Sequence, residues 1–446
     1  MRKVSIGLIG FGTIGSGVTQ VLLKRRAWLR DMTGVDIELT RICDKDLTSD
    51  RGVRVDRKIL TPDANVILND PSIDIVIELI GGVHPAKEII LTALSRGKDV
   101  VTANKALLAQ EGKAIFEAAR KFNREIRFEA SVGGGIPIIK ALREGFVSNK
   151  INGIYGIING TCNYILSRMT DENCDYGSAL KAAQKLGAAE ANPHLDVSGM
   201  DSVHKLILLA GLSFGAFRKP DEVYREGILE IGPRDIAYAR QMGYVIKLMA
   251  IAKRSAREIE MRVHPTLIPD SHLLANVGGL YNAIYVKGDL IGENLFYGEG
   301  AGKFPTASAV ISDIVDMAKQ TRESGHLNYQ LLDSRFRGND SRERGNDSTQ
   351  DNELKIKKMD DIESRYYIRF CAVDTPGVLA KISGILGKNG ISIANVTQKD
   401  ERVGGAAPIV MMTHSAVESR LRRALGLIDR LPVIKGKSVA IRVESL

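Results

Sequence analysis

Between positions 190 and 205 the chain gathers three carboxylates and a lysine, in the run Glu190-Ala-Asn-Pro-His-Leu-Asp196-Val-Ser-Gly-Met-Asp201-Ser-Val-His204-Lys205. If residues 199–213 are helical, Asp201 and Lys205 stand at i and i+4 and share one face. The apolar run Leu206-Ile-Leu-Leu-Ala210 that follows buries that helix just beyond the lysine. A lysine at the entrance of a buried helix, with acids around it, has a tunable pKa and is suited to passing a proton. Further carboxylates suit a substrate with an ammonium group. The plainer alternatives are a surface ion pair for Asp201 and Lys205 and a packing role for His204.

A second motif lies at the start of the chain. Gly10-Phe11-Gly12-Thr13-Ile14-Gly15 fits the dinucleotide fingerprint, whose glycines permit a tight turn and close backbone approach to a pyrophosphate at a helix N-terminus. Here it follows a strand (3–9) and opens a helix (15–30), the context that turns a weak hexapeptide into a strong signal. Asp44 ends the next strand, where an acid binds the ribose 2′-hydroxyl of NAD; Arg41, Lys45 and Arg51 are near enough to meet the 2′-phosphate of NADP. The choice between NAD and NADP stays open.

Three further stretches could take part. Lys105, in Ala103-Asn104-Lys105, follows a strand at the ligand end of the sheet and could polarise a carbonyl or hold cofactor; a surface lysine is the alternative. Residues 129–137, Glu-Ala-Ser-Val-Gly-Gly-Gly-Ile-Pro, form a glycine turn whose backbone groups could hold an ion, or a domain hinge. Gly298-Glu-Gly-Ala-Gly302, leading into Pro305-Thr306, either returns the chain over the cofactor or is a plain connector.

The elements that must position these residues come in three groups. Strands at 3–9, 35–43, 73–80, 98–102 and 125–130 alternate with helices at 15–30, 85–96 and 111–122, which means parallel βαβ units. From about 136 the pattern becomes α+β, with strands at 151–160, 258–268, 282–287 and 294–298 and helices at 162–170, 177–187, 198–214 and 233–252. A helix at 305–319 closes this part. Residues 322–350 repeat Arg-Gly-Asn-Asp-Ser at 337–341 and 344–348, and are too polar to bury a core, so they read as a linker. Residues 366–443 give β-α-β-β-α-β, the ferredoxin-like order.

Composition fits this division. The 446 residues suit about three domains, and 44 % hydrophobic with 26 % charged residues is ordinary for a globular chain and excludes a fibrous or wholly disordered one. The net charge of +9 is mild and spread out, so no nucleic-acid partner is expected. Cys43, Cys162, Cys174 and Cys371 form no Cys-x-x-Cys pair, which argues against a disulfide framework or structural zinc and for a cytoplasmic location. Met1-Arg2-Lys3-Val4 runs straight into a strand without a signal-peptide pattern, and no run of about 18 apolar residues suggests a membrane span.

Taken in order, Gly10–Gly15, Asn104-Lys-Ala-Leu-Leu-Ala109, Glu129–Pro137, Gly160-Thr-Cys-Asn-Tyr-Ile-Leu166, Glu190–Lys205 and Tyr297–Ser308 resemble homoserine dehydrogenase. The tail, through Asp374-Thr-Pro-Gly-Val-Leu379 and Asn395, resembles an ACT domain. The resemblance implies an α/β fold with a Rossmann-like dinucleotide domain at 1–135, completed by helix 303–321, and an α+β catalytic and oligomerisation domain at 136–302. A linker at 322–364 and an ACT regulatory domain at 365–446 would follow. It implies L-homoserine + NAD(P)+ ⇌ L-aspartate 4-semialdehyde + NAD(P)H, in threonine and methionine biosynthesis, with an amino-acid effector, threonine, at the ACT domain. By position, Lys205 becomes the acid/base, Asp201 its orienting partner, Lys105 a contact to cofactor and substrate, and Glu190 and Asp196 substrate holders. Phe11, Thr13, Ile14, Gly187 and Gly302 fall at cofactor positions, and Glu129 with the carbonyls of Val132, Gly134 and Ile136 at a monovalent-cation (Na+) site. A homodimer or homotetramer is implied, and removal of 365–446 is expected to leave a working enzyme without threonine inhibition. The rival reading is a catalytically inactive amino-acid and nucleotide sensor, which loss of Lys205 or of the fingerprint would favour.

Overall fold

The structure, a computed structural model, describes residues 2–319, 354–398 and 406–446. The repeat at 337–348 and the linker as far as residue 353 lie outside the described residues; the end of the segment expected as linker is structured, with Lys355–Ile356 paired in parallel to Glu258–Ile259. The chain divides into two compact units, one of residues 1–154, 201–223 and 282–354, the other of residues 155–200, 224–281 and 355–446.

The first unit is built on a six-stranded sheet. Its strands are β1 (Arg2–Ile9), β2 (Val35–Cys43), β3 (Leu60–Thr61), β4 (Ile75–Glu78), β5 (Asp99–Thr102) and β6 (Ile126–Arg127). They lie in the order β3-β2-β1-β4-β5-β6, and every neighbouring pair is parallel. This is the doubly wound dinucleotide-binding order, with its switch point between β1 and β4, where ligands collect at the C-terminal strand ends. The central strands are apolar on both faces, as strands covered by helices must be. Ile6, Leu8, Ile77 and Val101 pack with Val18 and Leu22 of helix Thr13–Thr33 and with Val310 and Ile314 of helix Lys303–Lys319. The last helix therefore does return to the nucleotide unit. Fully burying one such side chain stabilises by about 1.5–3 kcal/mol.

Two local expectations are corrected in this unit. The helix placed at 111–122 starts at Lys105, because the Asn104 side chain accepts from Leu107 N at 3.1 Å and caps it six residues earlier. The strand placed at 125–130 is only Ile126–Arg127; Glu129–Ser131 already turn.

In the second unit the helix expected over 233–252 is overturned for its second half. Helix Pro233–Gln241 stops, Gly243 turns the chain at φ +78°, and Tyr244–Arg254 is a strand. That strand pairs antiparallel with Glu258–Pro269 along its whole length, from Ile259↔Arg254 to Pro269↔Tyr244. The tail folds as expected: strands Glu363–Val373, Ile393–Gln398, Ala406–Thr413 and Val439–Val443, with helices Val378–Lys388 and Glu418–Ile428 over a core that includes Phe370, Ile382, Leu386, Met411, Leu421 and Ile428. Its last strand adds in parallel to Glu258–Pro269, through Thr266↔Arg442 and Leu267↔Val443. The tail sheet is thus a continuation of the sheet before it. Among the described residues no helix is long and apolar enough to cross a membrane, and no disulfide joins any of Cys43, Cys162, Cys174 and Cys371.

Candidate active site

The fingerprint sits at the C-terminal end of β1, beside the switch point. Gly10 holds φ +105°, and a Cβ there would lie 2.6 Å from Leu79 C; a Cβ on Gly15 would lie 2.0 Å from Gly10 O. These two glycines close the turn against the sheet. Gly12 differs, since a Cβ there would meet nothing within 4 Å, and it stands at the N-cap of helix Thr13–Thr33 without a side-chain cap. The open space and the open helix N-terminus fit a pyrophosphate. Asp44, just after β2, accepts from Phe11 N at 2.5 Å and from Asp46 N at 2.9 Å, so it touches the fingerprint loop itself. Arg51 lies 3.9 Å from Asp44 and 3.1 Å from Asp46. Arg41, near the end of β2, donates to Thr40 O, and Gly302, at φ +126°, precedes helix Lys303–Lys319. Gly12→Ala is expected to melt within about 2 °C of the parent, because glycine and alanine differ little in space here, and to weaken NADPH binding tenfold or more, about 1.4 kcal/mol. Differential scanning fluorimetry and a fluorescence titration check the two halves.

The Asp201–Lys205 pair forms in the same unit. Asp201 and Lys205, on helix Met200–Phe214, are both buried, and Lys205 Nζ donates to Asp201 Oδ2 at 2.7 Å. Lys105 Nζ lies 2.9 Å from Asp201 Oδ1. One carboxylate therefore bridges two ammonium groups that are a hundred positions apart in the chain. The i, i+4 pair was legible in the sequence; the third member is the work of the fold.

A buried relay fixes Lys105. Glu78, at the end of β4, accepts from Thr102 Oγ1 at 2.7 Å and from Ile80 N at 2.8 Å. Thr102 Oγ1 accepts from Asn104 N at 3.0 Å, and Asn104 Nδ2 donates to Gly82 O at 2.6 Å. Glu78 and Thr102 are fully buried, and sequence reasoning passed over both. The available signal was a carboxylate closing an otherwise apolar strand, Ile-Val-Ile-Glu. Thr102→Val keeps the shape but leaves Glu78 and Asn104 N each short of a partner. It is expected to cost about 1–3 kcal/mol, measured by urea unfolding.

Glu129 stands deeper. Its carboxylate accepts from Ile139 N at 2.8 Å and Lys140 N at 2.7 Å, and its own N–H donates to Asp313 Oδ2 at 2.8 Å. Burial pushes the Glu129 carboxyl up to about 7 and, with the Glu129 charge beside it, Asp313 up to about 8. Arg143, acting on both acids, with Lys140 on Glu129 and Arg127 on Asp313, pulls these values partly back down. The Val132–Ile136 turn also folds against 298–301: Gly135 N donates to Glu299 O at 3.0 Å. Among the described residues no group of three or more His, Cys, Asp or Glu forms a metal site.

In the second unit, Asp196 belongs to the short helix His194–Val197. Asn159 caps helix Gly160–Glu172 through its Oδ1 and gives its Nδ2 to Asp196 Oδ1 at 2.7 Å, while Cys162 Sγ donates to Asp196 O at 3.2 Å. Glu190 is exposed, and its carbonyl accepts from Gln184 Nε2 at 3.2 Å. Gly187, at φ +76°, ends helix Tyr176–Lys185.

Comparison with known proteins identifies the family. Residues 10–129 match the homoserine dehydrogenase NAD-binding domain, 137–315 the homoserine dehydrogenase domain and 366–433 the ACT domain. The homoserine dehydrogenase of Neisseria gonorrhoeae is 41 % identical, with all of both chains covered. A crystal structure of a homoserine dehydrogenase from Thiobacillus denitrificans superposes with a TM-score of 0.88 at 40 % identity, covering 100 % of this chain and 99 % of that one. A hyperthermophilic archaeal homoserine dehydrogenase in complex with NADPH gives 0.61 at 26 % identity over 71 % of this chain and 97 % of its own. The chain belongs to the homoserine dehydrogenase family.

Proposed function

We propose that this NAD(P)-dependent oxidoreductase interconverts L-homoserine and L-aspartate 4-semialdehyde with Lys205 as its acid/base. The observation that carries the reading is the Lys105–Asp201–Lys205 arrangement, in the unit that also holds the fingerprint. Gly10 to Gly15 would hold the pyrophosphate, and Asp44 and Arg51, beside that loop, would meet the ribose or its phosphate, whereas Arg41 is turned to Thr40 O. When bound, the nicotinamide supplies hydride transfer. Lys205, in its neutral form, takes the proton of the substrate hydroxyl; in the other direction its ammonium gives that proton to the developing alkoxide. Asp201 fixes the Lys205 ammonium along one rotamer, and Lys105 keeps Asp201 from being a lone buried charge once Lys205 is neutral. Stabilising the alkoxide more than the alcohol is what lowers the barrier. Glu190 and Asp196 keep the substrate-holding roles the family resemblance implies. A sodium ion at Glu129 with the carbonyls of Val132, Gly134 and Ile136 is supported by the two buried acids there. An amino-acid effector, threonine, at the turn 374–379 and Asn395, and assembly into a homodimer or homotetramer, complete the reading.

Absorbance at 340 nm with NAD+ and with NADP+, across L-homoserine, L-serine and L-threonine, tests it. Turnover of L-homoserine alone is expected, faster with one nucleotide, and slowed by threonine. Nucleotide binding without turnover of any alcohol would favour the inactive sensor.

A further inference from the structure

The turn that carries Asp196 is held from outside as well as by its own hydrogen bonds. Residues 224–228 lie across it. Tyr224 and Arg225 form a two-residue strand on Glu258–Pro269, in register Arg262↔Tyr224 and Val263↔Arg225, and Glu226 N donates to Val263 O at 2.8 Å. Next, Ile228 N donates to Val197 O at 3.0 Å. A Cβ on Gly227 would sit 2.2 Å from Val197 O, so only glycine lets the backbone come this close; one on Gly199 would lie 3.4 Å from Glu226 O. Whatever moves Glu226 therefore presses on residues 196–199.

The side chain of Glu226 is held from the C-terminal module. Arg442 Nη1 donates to Glu226 Oε2 at 2.8 Å and Nη2 to Oε1 at 3.2 Å, and Nη2 also meets Tyr224 Oη at 3.0 Å. Tyr224 Oη donates to Glu226 as well. The other side of the same guanidinium grips Glu418, the first residue of helix Glu418–Ile428, at 2.9 and 2.6 Å. Tyr366 Oη donates to Glu418 at 2.8 Å. Arg442 is buried and forks between two carboxylates, Glu226 on the 224–228 segment and Glu418 in the C-terminal module, a geometry that lysine cannot reproduce.

We propose that Glu226, gripped by Arg442 of the C-terminal module, is a positioning residue that sets the Asp196 turn, so that the state of the module is felt in substrate affinity. The inference rests on the reading of Asp196 as a substrate-holding residue. This route runs through paired strands and a half-buried ion bridge and does not use the segment 322–350.

Steady-state kinetics on the full chain test it, with L-homoserine varied at saturating nucleotide and then the reverse. Glu226→Ala is expected to raise KM for homoserine by about three- to thirtyfold, the scale of indirect couplings, with kcat and the nucleotide KM within about twofold. Glu226→Gln, which still offers one acceptor oxygen, is expected to recover most of the loss. Gly227→Ala, which pushes on Val197 O without touching a charge, is expected to raise the same KM. Asp196→Asn combined with Glu226→Ala is expected to be no worse than Asp196→Asn alone. If Asp196→Asn raises KM and neither Glu226→Ala nor Gly227→Ala does, the proposal is overturned while Asp196 keeps its role. If Asp196→Asn leaves KM unchanged, the reading of Asp196 fails and the proposal with it. A fall in kcat and a rise of both KM values that track a lowered melting temperature would mean that Glu226 is only structural.

Discussion

A chain ending at residue 364 is expected to fold poorly, contrary to the clean removal of the tail that the sequence suggested. Asp235 is fully buried and is satisfied by Tyr367 Oη at 3.0 Å and by Arg369 at 2.6 and 3.0 Å. Arg262, only 2 % exposed, donates to Glu444 Oε2 at 3.0 Å, and Lys253 reaches the other Glu444 oxygen. Cutting at 364 removes every one of these tail partners and strips the pairing of Thr266 and Leu267 from the edge of Glu258–Pro269. The cut also uncovers the apolar surface that the tail buries, and together with the lost bridges and strand pairing this removes a large share of the about 5–15 kcal/mol that stabilises an ordinary domain. The truncated chain should precipitate or melt far below the full chain. Asp235→Asn with Arg262→Met in the truncated background should recover part of the loss, since apolar or neutral replacements of buried ion pairs are tolerated. A truncated chain that melts within about 2 °C of the parent would show that these bridges are dispensable. The tail is therefore a structural part of the second unit as well as a regulatory module in the proposed sense.

Much of this was legible in the chain itself. The fingerprint was readable because its glycines follow a strand and open a helix, and the fold spends two of them on close packing and leaves the third facing open space. The Asp201–Lys205 pair was readable from i, i+4 spacing on a helix whose next residues are apolar. What could not be read are partners brought from afar. Lys105 meets Asp201, Glu78 and Thr102 hold Asn104, and Arg442 meets Glu226 only because strands that are distant in sequence become neighbours. The error at 244–252 has a local cause. Tyr-Val-Ile-Lys-Leu-Met-Ala-Ile-Ala is rich in good helix formers and lacks alternation, because Ile246 to Ala252 are buried on both faces of the strand, and periodicity cannot tell such a strand from a buried helix. The glycine at 243, which takes φ +78°, was the signal in the chain against a continuous helix.

Lys205→Ala is expected to lower kcat by about 10²–10⁴, the range for removal of a single positioned acid or base. The protein should remain folded, because Asp201 keeps Lys105 as a partner at 2.9 Å and is not left as a lone buried charge. Nucleotide affinity should stay within about twofold, since the fingerprint glycines and Asp44 are untouched. Lys205→Arg separates charge from proton exchange: guanidinium keeps the positive charge beside Asp201 but does not release its proton at any working pH. It should be nearly as slow as the alanine variant. The decisive measurement is a stopped-flow trace in which Lys205→Ala, preloaded with NADPH, is mixed with L-aspartate 4-semialdehyde and followed at 340 nm beside the parent. Bound nucleotide with decay slowed at least a hundredfold, within the range above, is the predicted result; decay at the parent's rate would contradict the assignment of Lys205 as the proton donor.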